Sequence, residues 1–360
     1  MARVSMETSP LTRLSVIMPV YNDEEFLSQA IESILQQSYS DYEFIIINDG
    51  STDRSGEIIH SFAQQDDRIL VMTNSQNIGV TKSANMGIGM ASGEYIARMD
   101  ADDISLPDRF EKQIEFLDRH KDVWVLGGQI ELVNEKGESC GSIDCSTDEK
   151  VLRWMAVSNG AIVFHPTTMF RKEKINLVGN YPEDCRLAQD SALWRELYMV
   201  ENFPLQNLGE VVLAYRIHNN NISRVYRKEQ VETVIKYQAL FYESMLDEKV
   251  PLKYIETINF PSRTRYTPLE AIGSIQLLER LFTNFRYAFS LNHSQLNTIK
   301  RDVSRKIFAI GYRYPFHAAR YNFYAVLLYP PQLLEFVRIY CTWLLEKINR
   351  ISVRLSKNRK

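Results

Sequence analysis

Leu14-Ser-Val-Ile-Met-Pro-Val20 is a short apolar run rich in β-branched residues, a pattern typical of a strand that is buried on both faces. Three similar runs follow it, and segments with apolar residues at helical spacing separate them. The three runs are Tyr42–Ile47, Ile69–Met72 and Tyr95–Met99. Strand and helix thus alternate four times in about 90 residues, which predicts a mostly parallel, Rossmann-like α/β sheet with helices on both faces.

Polar segments with acidic side chains directly follow three of the four runs. They are Tyr21-Asn-Asp23, Asn48-Asp-Gly50 and Asp100-Ala-Asp-Asp103. In such a sheet the carboxyl ends of neighbouring parallel strands meet at one edge, and ligands bind beyond that edge. The sequence therefore predicts one acidic site that is assembled from three separate loops.

The acidic residues are densest at Asp100, Asp102 and Asp103. Carboxylates at this spacing repel one another unless a cation joins them, and a hard divalent ion such as Mg²⁺ or Mn²⁺ prefers oxygen ligands. The alternative is a solvated acidic turn or the cap of the following helix. The position of the cluster at the end of a buried strand favours the metal.

Asp49 is a candidate for recognising a nucleobase. A carboxylate only accepts hydrogen bonds, so it suits the imide N–H of uracil or thymine, or the N–H edge of guanine. Cytosine has no such N–H, and a cytidine carrier is disfavoured. The residues from Gly50 to Thr52 have the composition of a turn and helix N-cap, and that structural role does not exclude a base contact by Asp49.

Five segments stand in order along the chain: Ser15–Asn22, Ile47–Asp53, Asn77–Gly87, Gly93–Ala97 and Asp100–Arg109. Together they resemble the nucleotide-sugar glycosyltransferases of family 2, which have the GT-A fold, and the resemblance covers about residues 13–225. It implies an enzyme that moves a sugar from a nucleoside diphosphate sugar, a UDP-sugar foremost, to a hydroxyl of a glycan or lipid-linked glycan. Many members of this family invert the anomeric configuration.

The resemblance also implies roles for individual residues. The residues that would bind the nucleotide sugar are Pro19, Val20, Tyr21, Asp49, Lys82, Asp100, Ala101 and Asp102. Within this set Asp49 would read the base, Asp102 would reach a Mn²⁺ or Mg²⁺ ion, and Lys82 would lie near the diphosphate. A solvated position on a helix is the equal alternative for Lys82, and a structural role is an equal alternative for Asp103.

Two residues further along complete the site that the resemblance implies. Asp190 lies in a loop that usually reads Glu-Asp in the family, and here Gln189 replaces the Glu, which leaves Asp190 as the candidate catalytic base. His218, at the end of Tyr215-Arg-Ile-His218, would complete the metal site. The alternatives are a helix cap for Asp190 and a hydrogen-bonded structural role for His218.

The pattern changes after residue 120, and the domain organisation follows from it. Trp124–Gly128, Ala161–Phe164 and Val211–Ile217 predict further strands, whereas helical spacing dominates beyond about residue 226. We therefore predict an N-terminal extension over residues 1–13, a GT-A domain over 14–225 and a helical, basic C-terminal region over 226–360.

The formal net charge of −3 offers no global field that would recruit nucleic acid, although residues 301–360 carry 12 Lys and Arg against 3 Asp and Glu. From Leu333 onward apolar residues recur at helical spacing with basic residues on other faces. Such a helix can lie on an anionic membrane surface, pack within the protein or form a coiled coil. With four scattered cysteines and a polar N-terminus, we expect a cytoplasmic protein with peripheral association at the inner face of the membrane.

Other classes of protein fit the sequence less well. A nucleotidylyltransferase usually has a basic, Gly-rich loop after its first strand, whereas Tyr21–Glu25 is acidic and contains no Gly. The G-x-G-x-x-G pattern of a dehydrogenase is absent at that place. A catalytically silent nucleotide-sugar-binding module of the same fold remains the alternative to the enzyme.

Overall fold

The computed structural model describes residues 12–158, 162–200, 203–314 and 317–330. Within them the chain divides into two compact units, of which the first ends at Tyr237 and the second begins at Gln238; Val157 and Ser158 belong with the second. The predicted basic helix from Leu333 onward and the N-terminal extension up to residue 11 lie outside the described residues.

The first unit contains a nine-stranded sheet with the order β3-β2-β1-β4-β8-β6-β9-β5, and β7 pairs with β6. The strands are β1 (Leu14–Val20), β2 (Tyr42–Asn48), β3 (Ile69–Thr73), β4 (Tyr95–Arg98), β5 (Ile104–Ser105), β6 (Val125–Val133), β7 (Ser139–Ile143), β8 (Met169–Arg171) and β9 (Leu205–Arg216). The pairs β1–β2, β2–β3 and β1–β4 are parallel, whereas β8 runs antiparallel to β4 and β6. The predicted mostly parallel α/β sheet is confirmed.

Helices of the first unit follow the strands along the chain. They are α1 (Leu27–Leu35), α2 (Ser55–Ala63), α3 (Val80–Met90), α4 (Arg109–Arg119), α5 (Glu149–Ser158), α6 (Lys172–Leu177), α7 (Gln189–Met199) and α8 (Ile222–Val225). Alternate residues of a strand point to opposite faces, so Val16 and Met18 pack in one core cluster with Ile31 of α1, while Ile17 packs in another with Ile88 of α3.

One predicted strand is wrong. Ile162–Phe164 forms no strand; it leads into a 3₁₀ turn at His165–Thr167, and the strand of this region is the shorter β8. Pro166 explains the difference, because it lacks a backbone N–H and fixes φ near the value of a helical turn. The apolar residues are partly or fully buried as expected of a strand, but they are not part of the sheet ladder.

The second unit contains only helices in the residues described. The division between the two units falls within α9 (Arg227–Leu246). The helices after it are α10 (Leu252–Asn259), α11 (Pro268–Ala288), α12 (His293–Gly311) and α13 (Ala319–Leu328). Capping boxes begin α11 at Thr267 and α12 at Asn292. The predicted division at residue 226 lies one residue before α9, whereas the two compact units divide within that helix, between Tyr237 and Gln238. Among the described helices none combines the length and the hydropathy that crossing a bilayer requires.

Candidate active site

The turn between β4 and β5 carries three carboxylates to the carboxyl edge of the sheet. Oxygens of Asp100, Asp102 and Asp103 all lie within 4.8 Å of one another. Arg216, the last residue of β9, holds this turn, because its backbone N–H donates to Asp103 Oδ1 (2.9 Å) and its Nε donates to the Asp102 carbonyl (2.9 Å). The acidic cluster that the sequence predicted is therefore built on the pairing of β5 with β9.

Asp103 is completely buried, and its second oxygen, Oδ2, has no hydrogen-bond partner among the described residues. Burial, together with the negative charges of Asp102 and Asp100, raises the pKa of Asp103 well above its ordinary value. A buried carboxylate oxygen without a donor is rare in folded proteins. An oxygen of this kind beside two more carboxylates fits a hard divalent cation.

Asp102 lies against His218, the other residue that the sequence predicted as a metal ligand. His218 Nε2 is 2.8 Å from Asp102 Oδ2, and Asn221 Nδ2 donates to the same oxygen (3.2 Å). Asn221 Oδ1 also accepts from the His218 backbone N–H (2.8 Å), and the imidazole packs on Phe26 with ring centroids 4.9 Å apart. The sequence did not single out Asn221, since an asparagine after a strand is ordinary turn chemistry.

Positive charge is buried behind the acidic cluster. Arg98 Nη2 forms an ion pair with Asp100 Oδ1 (2.6 Å), and Arg109 Nη2 donates to the Arg98 carbonyl (2.8 Å). Arg109 is fully buried, which lowers its pKa to about 9, although the charge of Asp103 opposes this effect. These guanidinium groups offset part of the repulsion among the carboxylates.

Asp23, in the loop after β1, is a fourth carboxylate near the cluster. Burial is the main reason that its pKa is raised to about 7, and the charges of Asp102 and Asp100 act in the same direction. Its backbone N–H donates to Ser55 Oγ (3.0 Å), which ties the loop to α2. The sequence placed Asp23 in a converging loop without assigning it a role in the site.

Asp49 is only 2% exposed, and its carboxylate is occupied by the protein itself. Oδ1 accepts from Asn74 Nδ2 (2.8 Å) and from the Ile78 N–H (3.0 Å), and Oδ2 accepts from the Gly79 N–H (2.9 Å). Asp49 thus fastens the loop before α3 to the end of β2. Its predicted role in reading the nucleobase stays a prediction.

The other residues predicted to bind the nucleotide divide into two groups. Pro19, Val20 and Ala101 are buried, and Val20 and Ala101 belong to the hydrophobic core. Tyr21 is 45% exposed, and Lys82 is exposed without an ion pair among the described residues. Only Tyr21 and Lys82 of these five therefore present their side chains to solvent, and the roles of all five stay predictions.

Asp190 lies in the first turn of α7, and no side chain caps this helix. The carboxylate is partly buried and has no hydrogen bond or ion pair to another described residue. Nearby, His165 Nε2 and the Tyr181 hydroxyl are 2.7 Å apart. Burial lowers the pKa of His165, and the negative charges of Asp190 and Asp100 both oppose that effect, so the two carboxylates act on the same buried pair.

Comparison with known proteins identifies the family. A sequence profile for glycosyl transferase family 2 matches residues 15–176. The O-antigen biosynthesis glycosyltransferase WbnJ of Escherichia coli is 34% identical over 217 residues, which cover 59% of this chain and 83% of WbnJ. The chain belongs to glycosyl transferase family 2, and the predicted resemblance and enzyme class are confirmed.

Solved structures agree on the fold. TarS 1-349 of S. aureus in complex with UDP-GlcNAc matches with a TM-score of 0.53 and 19% identity over 84% of this chain and 82% of that chain. The mannosyltransferase PcManGT from Pyrobaculum calidifontis in complex with GDP-Man and Mn²⁺ matches with a TM-score of 0.53 and 16% identity over 86% and 87%. This chain spans 52% of a longer TarS chain. These likenesses confirm the predicted GT-A fold.

Proposed function

We propose that this family 2 glycosyltransferase moves a sugar from a nucleoside diphosphate sugar, a UDP-sugar foremost, to a hydroxyl of a glycan or lipid-linked glycan. The contact between Asp102 and His218 carries the proposal. These residues lie 116 positions apart in sequence, and their side chains meet at 2.8 Å beside two further carboxylates. Such a set at the carboxyl edge of a sheet suits a diphosphate that is bound through a divalent ion.

Mn²⁺ or Mg²⁺ is the cofactor that these side chains fit. Asp102 and His218 would hold the ion, and the unpartnered Oδ2 of Asp103 supports the presence of a cation at this position. An imidazole is a softer ligand than a carboxylate, which favours Mn²⁺ over Mg²⁺. The bound ion would neutralise charge that develops on the diphosphate.

Asp190 is the proposed general base. The acceptor oxygen bonds to the anomeric carbon while the bond from that carbon to the diphosphate breaks, and the acceptor proton passes to the Asp190 carboxylate. The absence of any hydrogen bond or ion pair to this carboxylate from the described residues supports the role, because a base must be free to accept a proton. General-base assistance is typically worth about 10²–10⁴-fold in rate.

One base and one direct displacement imply inversion at the anomeric carbon, by the same stereochemical logic as in inverting glycosidases. The names of the solved neighbours support a nucleotide-sugar donor, since one holds UDP-GlcNAc and the other GDP-Man. The O-antigen role in the name of WbnJ supports a surface glycan as the product. A cytidine donor remains disfavoured.

The test is a transfer assay with Mn²⁺ and a panel of UDP-, dTDP- and GDP-sugars, in which nucleoside diphosphate release is measured. Asp102→Ala and Asp190→Asn should both lose turnover, and Asp190→Asn should still bind the donor. Asp122→Ala and Glu196→Gln are matched controls, because both side chains are exposed and have no partner among the described residues. Full transfer activity of the Asp190→Asn variant would exclude Asp190 as the base. Retention of the anomeric configuration in the product would exclude direct displacement.

A further inference from the structure

The segment Tyr181–Ala188 is the later part of the connection between α6, which ends at Leu177, and α7, and it ends two residues before Asp190. It contains no helix or strand, so its backbone is positioned by contacts with other elements. Asn85 on α3 makes two of these contacts with one residue: its Nδ2 donates to the Tyr181 carbonyl (2.8 Å), and its Oδ1 accepts from the Tyr181 N–H (3.2 Å). The amide side chain of Asn85 thus binds both the backbone N–H and the backbone carbonyl of Tyr181.

A second residue of α3 holds the same segment further along. Thr81 Oγ1 donates to the Cys185 carbonyl (2.7 Å). Thr81 is buried and Asn85 partly buried, and they lie one helical turn apart on the same face of α3. The segment is therefore attached to the helix at both its first and its middle residues.

The far end of the segment has a strained backbone. Ala188, which precedes α7, has φ 59° and ψ 34°, in the left-handed region that costs a residue with a Cβ about 1–2 kcal/mol. Backbone in such a conformation persists only where surrounding contacts over-determine it. The hydrogen bonds from α3 to Tyr181 and Cys185 restrain the stretch of backbone that leads to Ala188.

We propose that Asn85 is a positioning residue for the carboxylate of Asp190. The inference rests on the proposed function, in which Asp190 accepts the proton. Asn85 acts through the peptide of Tyr181 and does not touch the reacting atoms. Its side chain suits the task because an amide offers one donor and one acceptor at the same distance from the backbone, whereas an aspartate lacks the donor and an alanine lacks both.

The experiment compares Asn85→Ala with the wild-type enzyme, using UDP-GlcNAc as donor and a panel of p-nitrophenyl glycosides as acceptors. We expect kcat for transfer to fall about 10–100-fold, which is the size of effect that a misplacement of about 1 Å produces. The affinity for UDP, measured by calorimetry, should stay within about twofold. The ratio of sugar transferred to sugar released into water should also fall, and this ratio does not depend on how much of the protein is folded.

Matched variants separate positioning from a general loss of structure. Asn176→Ala changes an exposed asparagine of α6 whose side chain has no partner among the described residues, and it should keep the wild-type ratio. Thr81→Val removes one hydrogen bond with little change of shape, so it should lower the ratio less than Asn85→Ala does. If Asn85→Ala fails to fold, Thr81→Val and Asn85→Asp, which keeps the bond from the Tyr181 N–H, give the same test.

Two results would overturn the inference, and they differ in what they say of the proposed function. A wild-type transfer ratio in Asn85→Ala, together with an inactive Asp190→Asn, removes the positioning role and leaves Asp190 as the base. Wild-type transfer by Asp190→Asn removes the base itself, and the positioning role fails with it.

Discussion

Replacement of Arg216 by Met should destabilise the first unit by about 3–4 kcal/mol. Arg216 is 1% exposed. Its guanidinium donates to the carbonyls of Asp102 and Glu135 (both 2.9 Å) and Asn134 (3.3 Å) and to Gln29 Oε1, and it lies 4.7 Å from the centroid of the Phe26 ring. Each hydrogen bond is worth about 0.5–1.5 kcal/mol, and the lower values apply to exposed acceptors, because water can replace the guanidinium there in the variant. The cation–π contact adds about 1 kcal/mol. Met preserves much of the apolar volume, so the loss reports mainly the polar contacts.

The assay is urea unfolding of the metal-free protein, followed by circular dichroism. Arg224→Met is the matched control: Arg224 is exposed, and its contact with Asn219 Oδ1 is long (3.5 Å), so the change should stay within about 0.5 kcal/mol. Arg216→Lys should recover less than half of the loss, because one ammonium group cannot reach four separate acceptors. A loss below 1 kcal/mol for Arg216→Met, or an equal loss in the control, would refute the reasoning.

Three further predictions concern pH, backbone and metal. The pKa of Asp23 is raised from 3.8 to about 7, so the native state binds an extra proton between these values, and stability falls as pH rises through that window. In metal-free protein Asp23→Asn should remove roughly 2–4 kcal/mol of that fall in urea unfolding, and an unchanged pH slope would contradict it. Gly79→Ala should cost about 1–2 kcal/mol in thermal unfolding because Gly79 has φ 95°, whereas Gly89→Ala, with open space for its Cβ, should stabilise α3 by about 0.5–1 kcal/mol. Saturating Mn²⁺, at about 100 times its Kd, should stabilise the wild type by about 2.7 kcal/mol and Asp102→Ala much less, and an equal rise in Tm would place the ion elsewhere.

The local pattern of apolar residues was sufficient to predict most strands of the sheet. The β-branched runs at Leu14–Val20 and Tyr42–Ile47 form β1 and β2, because buried parallel strands need apolar side chains on both faces. The same reasoning was wrong at Ala161–Phe164, whose described part forms no strand. There an apolar run is buried without pairing, and periodicity cannot separate burial from a place in a ladder.

The candidate site also has a part that the sequence predicted and a part that it did not. The acidic cluster was visible in the sequence because its three carboxylates are close neighbours in the chain. The role of Arg216 was not visible, since the four acceptors of its guanidinium come from α1, the turn after β4 and the hairpin between β6 and β7. Nothing in one sequence marks an arginine at the end of a strand as the residue that joins them.

The sequence by itself therefore determined the α/β class, the family and the edge of the sheet where the acidic cluster lies, because hydrophobic period and short motifs are local properties. Only the tertiary structure decided that Asp102 meets His218, that Asp103 is buried with an unpartnered oxygen, and that Asn85 holds the segment leading to Asp190. The physical reason is that burial and hydrogen bonding between residues about a hundred positions apart depend on how strands and loops pack, and spacing along the chain does not encode that packing.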